Sequence, residues 1–218
     1  MQIIVVSNSL SKRIEYFIEA GKHLQTEVRF MTYGELFNCL PQLRQAVIKL
    51  EPCVSDETDF QKYALLNQAY KETLQRLGEM RLSDDVCFLN TPHALLRALD
   101  KKDTKQVLVD RGLRVTPMLP SPHSFDELRE LLAGCGRGCF LKPRYGSGAG
   151  GIMAVRYQPS RNKWVVYPTL QQVDGVIHNT KRIHRLSTEK EMIPLAEAVM
   201  QTEAILEEWA PTSICAVP

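Results

Sequence analysis

A glycine-rich stretch carries the clearest chemistry in this sequence: residues 141–151 read LKPRYGSGAGG. Lys142 lies near the start of the stretch, and its last six residues, 146–151, are all glycine, serine or alanine. Bare backbone N–H groups can approach phosphate oxygens closely, and the hydroxyl of Ser147 adds a further donor. The stretch therefore indicates a site for a phosphorylated ligand. A plain β-hairpin with a flexible turn and an outward-facing lysine stays open as the structural alternative.

The same glycines match the G-x-G-x-x-G fingerprint of dinucleotide-binding folds, at Gly146, Gly148 and Gly151. That fingerprint needs a helix directly after the glycines, because the helix N-terminus holds the pyrophosphate. Residues 152–168 instead alternate between apolar and polar types and predict two strands of a hairpin. A P-loop fails as well, because its lysine ends the loop whereas Lys142 precedes it. The glycines are thus predicted to form a hairpin loop that folds over a ligand.

The charge distribution favours an anionic ligand without pointing to nucleic acid. The 218-residue chain has a formal net charge of +2, which is too small for a protein that coats nucleic acid. Residues 140–190 are locally basic, with nine lysines and arginines against Asp174 and Glu189. Such an excess fits an anion site and equally a solvated basic face. Four residues stay open between substrate contact and simple solvation: Asn179, Lys181, Arg182 and Arg185.

The cysteines and the apolar segments indicate a cytoplasmic protein. None of the six cysteines forms a C-x-x-C pair, so we expect free thiols in a reducing compartment and no zinc site. The N-terminal residues MQIIVVSNSLSKR lack the basic start and the cleavage site of a signal peptide. No apolar run approaches the ~18 residues of a membrane span. We therefore expect no membrane partner and no nucleic-acid partner.

The first 90 residues predict a small α/β unit of Rossmann-like type. Residues 2–7 form a continuous β-branched run, typical of a buried strand in a parallel sheet. A helical pattern at 10–24 and a strand at 27–32 complete a β-α-β start, which implies a right-handed crossover. Further helices are predicted at 36–48 and 60–77, and a further strand at 85–89.

The remainder predicts a mixed α+β unit. Asp100 has the character of a helix N-cap, and Gly112 that of the glycine after a helix end. The predicted elements are a helix from Ser124 to Gly134, strands at 139–145, 152–157, 164–167 and 204–209, and a helix at 193–200.

Three motifs in a fixed order resemble the ATP-grasp superfamily. They are Asp100-Lys101 opening a helix that ends in DRGLRVTP, the stretch FLKPRYGSGAGG, and a strand that ends in AILEEWAP. Within the superfamily this sequence is most similar to the bacterial carboxylate–amine ligase-like branch. The resemblance covers residues 85–211 and implies three segments: a Rossmann-like pre-ATP-grasp α/β domain at 1–90, the first lobe and hinge of the ATP-grasp domain with a glycine-loop β-hairpin at 91–211, and an atypical tail at 212–218.

The resemblance implies a nucleotide site, residue by residue. Lys101 and Lys142 would contact the phosphates of ATP, and Glu207 would accept the adenine amino group. The loop that covers the triphosphate would consist of Gly146, Ser147, Gly148, Ala149, Gly150 and Gly151. The backbone of Glu208, Trp209 and Ala210 would complete the hinge, with the Trp209 ring expected to pack. ATP and Mg²⁺ are the implied cofactors, and the implied reaction joins a small-molecule or peptide carboxylate to an amine through an acylphosphate.

The sequence departs from the family pattern after Pro211. The last residues, TSICAVP, contain no acidic side chain, so the family's ribose-binding acid and its Mg²⁺ ligands are missing. We therefore expect a truncated or frame-shifted chain with impaired activity, and we assign no catalytic residue and no metal ligand. Two alternatives stay open: a nucleotide-binding module without catalysis, and a Rossmann-type dinucleotide-binding oxidoreductase. Self-association into a homodimer also stays open.

Overall fold

The computed structural model describes residues 1–53 and 56–210. The chain divides into two compact units. The first consists of residues Met1–Asp56 and Leu65–Ala98, and the second of Glu57–Ala64 and the residues from Leu99 onward. Pro211 and the predicted tail at 212–218 lie outside the described residues.

The first unit is built on a four-stranded parallel sheet in the order β2-β1-β3-β4. In chain order its elements are β1 (Gln2–Ser7), α1 (Lys12–His23), β2 (Val28–Thr32), α2 (Tyr33–Cys39), β3 (Ala46–Leu50), most of α3 (Phe60–Glu79), β4 (Val86–Phe88) and α4 (Pro92–Leu99).

Burial and capping explain why these segments form. Ile4, Val5 and Val6 of the central strand β1 are almost fully buried, as the β-branched run predicts. Helix α2 begins with a capping box, in which Thr32 and Glu35 satisfy each other's backbone N–H groups. Both features depend on residues close together in the chain. The β-branched run ends where the strand ends, so the predicted bounds 2–7 agree with those of β1.

The helix predicted at residues 36–48 is wrong. Helix α2 ends at Cys39, and Pro41 then lies in a short 3₁₀ turn, Leu40–Gln42. The following AVIKL segment is strand β3, with its alternate residues buried between β1 and β4. Ala46, Ile48 and Leu50 are buried and the residues between them are half-buried, and this burial together with the pairing to two strands outweighs the helical propensity of the segment.

The second unit is built on a five-stranded sheet in the order β5-β11-β6-β7-β8, in which all neighbours run antiparallel. Its elements are α5 (Lys101–Asp110), β5 (Met118–Leu119), α6 (Phe125–Cys135), β6 (Cys139–Pro143), β7 (Met153–Gln158), β8 (Lys163–Pro168), β9 (Leu170–Val173), β10 (Val176–Asn179), α7 (Glu189–Met200) and β11 (Ala204–Glu208). The first turn of α3 also belongs to this unit.

The core of the second unit lies on one face of this sheet. Helices α6 and α7 share a buried cluster with the strands, which includes Leu132, Leu141, Val199 and Leu206. Because side chains alternate along a strand, the residues between these positions belong to the opposite face. That opposite face carries Lys142 of β6 and Glu207 of β11.

Two segments of the second unit differ from their predicted form. Strands β9 and β10 pair with each other in a separate two-stranded sheet, which the sequence pattern did not predict. Helix α7 begins at Glu189 rather than at Ile193, so the predicted start is wrong by one turn. Three of the four β9 residues are exposed, so β9 lacks the buried alternation from which strands are predicted.

Among residues 1–53 and 56–210, no helix combines the length and the apolar character that crossing a membrane would need.

Two glycines near the end of α6 give opposite predictions for the same substitution. Gly134 is helical, and a Cβ placed there meets nothing within 4 Å, so Gly134→Ala should stabilise the fold by about 0.5–1 kcal/mol. Gly136 caps the helix at φ 64°, so Gly136→Ala should destabilise it by about 1 kcal/mol. Urea unfolding of both variants measures the difference, and equal effects would contradict the assigned helix end.

Candidate functional site

Four charged side chains of the second unit converge beside the sheet. Lys101 and Lys105 lie one turn apart on α5, Lys142 lies on β6, and Glu207 lies on β11. In the antiparallel register Lys142 stands opposite Ile205, and Glu207 stands opposite Phe140. Lys142 and Glu207 are therefore diagonal neighbours on one face, within reach of each other's side chains.

The Glu207 carboxylate is held between two ammonium groups. Lys142 contacts its Oε1 atom and Lys105 contacts its Oε2 atom. All three side chains are largely shielded, with 8% of Glu207, 17% of Lys105 and 18% of Lys142 exposed. Lys105 also donates to the backbone oxygen of Thr116 at 3.0 Å. These contacts link α5, β6 and β11 through a single carboxylate.

Electrostatics keep Glu207 ionised. Burial would raise its pKa, but the hydrogen bonds and charges of Lys105 and Lys142 outweigh burial and leave the pKa below its usual value. A carboxylate that stays charged at neutral pH can hold both ammonium groups in place.

Lys101 is the third ammonium group of the cluster. Its Nζ donates to the backbone oxygen of Gly146 at 2.8 Å and to that of Arg144 at 3.4 Å. Burial and the nearby charge of Lys142 lower its pKa to about 8, although Glu207 and Asp100 act in the opposite direction. The cluster thus contains three lysine ammonium groups against the one carboxylate of Glu207.

A separate ion pair fixes the start of α5 next to the glycine stretch. Asp100 caps the helix by accepting from the backbone N–H of Lys102 at 3.0 Å and of Asp103 at 3.1 Å. The same carboxylate binds Arg144 in bidentate fashion, at 2.9 Å to Nε and 2.7 Å to Nη2. Burial would raise the pKa of Asp100, but Arg144 and the capping N–H groups lower it overall. Asp100 and Arg144 therefore satisfy each other and leave the lysine cluster with its excess charge.

The glycine stretch joins two antiparallel strands, β6 and β7. The residues after Gly151 thus form a strand, where a dinucleotide fingerprint needs a helix. We call residues 146–151 the glycine loop. Four of its residues have positive φ: Gly146 at 108°, Gly148 at 73°, Ala149 at 62° and Gly151 at 72°. Glycine adopts positive φ angles readily, whereas other residues are strained there. The backbone conformation of the loop therefore explains why the loop is rich in glycine.

Thr169, between β8 and β9, and Asn179, at the end of β10, hold the middle and the end of the glycine loop. Thr169 Oγ1 donates to the backbone oxygen of Ala149 at 2.9 Å. The backbone N–H of Gly151 donates to Asn179 Oδ1 at 3.0 Å. Asn179 therefore binds the backbone of the glycine loop. The three other residues of the open set, Lys181, Arg182 and Arg185, are exposed.

Backbone hydrogen bonds hold the last residue of β11 and the residue that follows it. The backbone N–H of Glu208 donates to the backbone oxygen of Pro117 at 2.9 Å. The backbone N–H of Trp209 donates to the backbone oxygen of Gly138 at 2.7 Å. The Trp209 ring packs at a tilt against Phe140, with 5.5 Å between ring centroids. Trp209 and Ala210 are exposed, and Trp209 makes the packing contact that the sequence predicts.

The structure thus brings Lys101, Lys142, Glu207 and the first glycine of the loop into one neighbourhood. Sequence reasoning missed Lys105 and Arg144 as members of this site. Lys105 follows Lys101 by four residues, the spacing that places two side chains on one helix face, so a signal for it existed. In the part of the chain that the structure describes, no three His, Cys, Asp or Glu side chains cluster so that they could hold a metal ion.

Replacing Glu207 tests the electrostatic core of the site. Glu207→Gln leaves Lys105 and Lys142 shielded without a counter-charge, so we expect a loss of about 3 kcal/mol in the free energy of unfolding. The folded-state pKa of Glu207 lies below its ordinary 4.5, so its stabilisation is present above that pH and is lost as the pH falls through the lower value. Denaturant unfolding at pH 7 and pH 3 measures both effects.

The neighbouring Glu208→Gln variant is the matched control. Glu208 pairs at 3.2 Å with Arg137, whose side chain is 73% exposed. Such a pair contributes at most about 1 kcal/mol, so the control should unfold almost like the wild type. Equal losses in the two variants would contradict the shielded arrangement of Glu207.

Comparisons with known proteins identify the fold. No family model matches the chain, and no curated protein matches it. Known structures do match. N5-carboxyaminoimidazole ribonucleotide synthetase in its ADP complex has a TM-score of 0.52 at 13% identity, over 96% of this chain and 47% of that one. Carboxyaminoimidazole ribonucleotide synthase from Aspergillus clavatus, in complex with ATP, has a TM-score of 0.55 at 11% identity, with the same two coverages.

A third match is the ATP-grasp ligase PsnB with a minimal precursor, at a TM-score of 0.49, 14% identity, 97% of this chain and 64% of that one. This chain spans about half the length of the two synthetases. Identities this low show the fold alone, and the matched structures are ATP-grasp ligases. The fold shared with the two synthetases confirms, at this level, the resemblance indicated by the three sequence motifs: the chain has an ATP-grasp fold.

Proposed function

We propose that this chain binds ATP through the lysine cluster and the glycine loop. The observation that carries the proposal is the charge of the cluster. Lys101, Lys105 and Lys142 supply three ammonium groups, whereas Glu207 pairs with two of them, and the Asp100 carboxylate near Lys101 is already paired with Arg144. An excess of two positive charges among shielded side chains favours a multiply charged anion. A triphosphate has that charge, and two synthetases of the same fold are complexes with ADP and with ATP.

In this proposal the phosphates lie between the lysines and the glycine loop. Lys101 and Lys142 contact phosphate oxygens, with Lys105 as an added member. The backbone N–H groups of residues 146–151 cover the triphosphate, since glycine allows the closest approach of a backbone to a ligand. Ser147, Gly148 and Ala149 are exposed and thus accessible to a ligand.

The adenine end of the nucleotide would bind along the end of β11. Glu207 accepts the adenine amino group, and the backbone of Glu208, Trp209 and Ala210 completes the hinge. A carboxylate has about four lone-pair positions, so Glu207 can keep its lysine partners while it accepts one further hydrogen bond. The Trp209 ring supports this segment through its contact with Phe140.

For the whole protein we propose ATP-dependent ligation of a carboxylate to an amine. The carboxylate of a small molecule or a peptide attacks the γ-phosphate, the ADP oxygen leaves, and the amine then displaces phosphate from the acylphosphate. The share of this chain is to position the nucleotide and to offset phosphate charge. Mg²⁺ bound with ATP would supply further charge neutralisation. We assign it no ligand among the described residues, which hold no suitable cluster.

We propose a reducing cytoplasm as the location. The five cysteines in the described part of the chain are free thiols, the state that such a compartment maintains.

A thermal-shift titration with ATP and Mg²⁺ tests the proposed site. A ligand at one hundred times its dissociation constant stabilises the fold by about 2.7 kcal/mol, so the wild type should show a clear rise in Tm. Lys142→Met removes one of the proposed phosphate contacts and should lose most of that rise. Lys163→Met is the control, because Lys163 is an exposed lysine at the start of β8. A wild type without any shift, or a Lys142→Met variant that shifts fully, would overturn the proposal.

The pH dependence of ATP binding tests the role of Lys101. Its pKa of about 8 in the free protein means that it loses its charge as the pH rises through that value. Affinity should therefore be about tenfold weaker at pH 9 than at pH 7 by proton linkage. In Lys101→Arg the guanidinium stays charged throughout, so most of the pH dependence should disappear. Calorimetric titration at the two pH values compares the proteins, and an equal pH dependence in both would exclude Lys101 as its source.

A further inference from the structure

We propose that Tyr63 is a positioning residue of the glycine loop: its hydroxyl and ring fix the orientation of loop N–H groups for a phosphate ligand. The inference rests on the proposed function, because it assigns a role within the same site. Sequence motifs give no indication of it, since Tyr63 lies 84 residues before the loop residue that it contacts.

The start of α3 is built into the second unit. Residues Glu57–Ala64 belong to that unit, although the rest of the helix belongs to the first. The backbone oxygen of Thr58 accepts from the N–H of Asn179 at 2.6 Å, and Asp59 forms a β-bridge with His178. Both contacts tie the helix start to β10. The first turn of α3 is thus a fixed support from which a side chain can restrain the loop.

The Tyr63 hydroxyl donates to the backbone oxygen of Ser147 at 2.6 Å. That oxygen shares a planar trans peptide unit with the N–H of Gly148, and in such a unit the two groups point in opposite directions. Fixing the Ser147 oxygen therefore fixes the direction of the Gly148 N–H, which points away from Tyr63.

Neighbouring peptide units of the loop are restrained in the same way. Lys101 holds the Gly146 oxygen and thereby orients the N–H of Ser147. Thr169 holds the Ala149 oxygen and orients the N–H of Gly150. Together with Tyr63, these donors set three of the four peptide planes between Gly146 and Gly150. A row of N–H groups that is oriented beforehand loses less entropy when it binds an anion.

Ring packing below the loop explains two of its glycines. A Cβ at Gly150 would lie 2.7 Å from the Tyr63 ring, and a Cβ at Gly151 would lie 2.5 Å from the Phe60 ring. The two rings stack on each other with centroids 6.2 Å apart, and Phe60 is only 2% exposed. The loop backbone therefore rests directly on an aromatic support, at a distance that only glycine permits.

Tyr63→Phe tests the hydroxyl while it keeps the ring. We expect faster hydrogen exchange at the amides of residues 146–151 in the ligand-free protein, with Tm almost unchanged. We also expect about threefold to tenfold weaker binding of ATP with Mg²⁺, the range that one hydrogen bond supports. Tyr16→Phe is the matched control, because Tyr16 is 73% exposed on α1 and should change neither quantity.

The two readouts separate this inference from the proposed function. If hydrogen exchange at the loop amides is unchanged in Tyr63→Phe, the positioning role is overturned, whether or not ATP binds. Faster exchange with unchanged or tighter ATP binding would also overturn it, because the restraint would then not serve the ligand. A wild type that fails to bind ATP would contradict the proposed function and, with it, the role of the loop toward phosphate.

A double-mutant cycle tests the ring contact independently. Gly150→Ala should loosen the loop in the wild-type background, because its Cβ would meet the Tyr63 ring. In a Tyr63→Ala background that ring is absent, so the same substitution should have a much smaller effect on loop exchange. Gly134→Ala, remote in α6, is the control and should act identically in both backgrounds. Additive effects of Gly150→Ala and Tyr63→Ala would contradict the contact.

Discussion

The ion pairing of Glu207 is the interaction on which the site depends. One carboxylate on β11 holds Lys142 of the neighbouring strand and Lys105 of helix α5, and all three side chains are largely shielded from water. Without it, two ammonium groups would lie close together with little solvent to screen them. With it, they are held in place but not neutralised, because Lys101 adds a third positive charge nearby. The cluster thus keeps an excess of positive charge that an anionic ligand can neutralise.

The surrounding contacts keep that excess charge available. Asp100 is the other buried carboxylate of the region, and Arg144 occupies both of its oxygens. Asp100 therefore caps α5 and places Lys101 at the loop without cancelling the charge of the lysines. The glycine loop begins two residues after Arg144 and is held by Lys101, Tyr63 and Thr169. Charge and loop geometry are set by the same few elements of the second unit.

Local features of this fold are predictable from the sequence, whereas its long-range pairings are not. Strand β1 and the Asp100 cap follow from a β-branched run and from one side chain that accepts from nearby backbone N–H groups. The sequence pattern of strand β3 also fits a helix, and only pairing with β1 and β4 determines its extended form. Lys142 and Glu207 are 65 residues apart, so their pairing depends on a strand register that the sequence does not display. The contact of Tyr63 with the loop is hidden for the same reason.

Lysine side-chain NMR during a titration with ATP and Mg²⁺ tests whether the lysine cluster binds the triphosphate. We expect the Nζ and Cε resonances of Lys101, Lys105 and Lys142 to shift together and to saturate at the same ATP concentration. The resonances of exposed lysines outside the cluster, such as Lys12 and Lys163, should not shift. Shifts confined to exposed lysines, or no saturable shift in the cluster, would contradict a triphosphate site at Glu207 and its lysines.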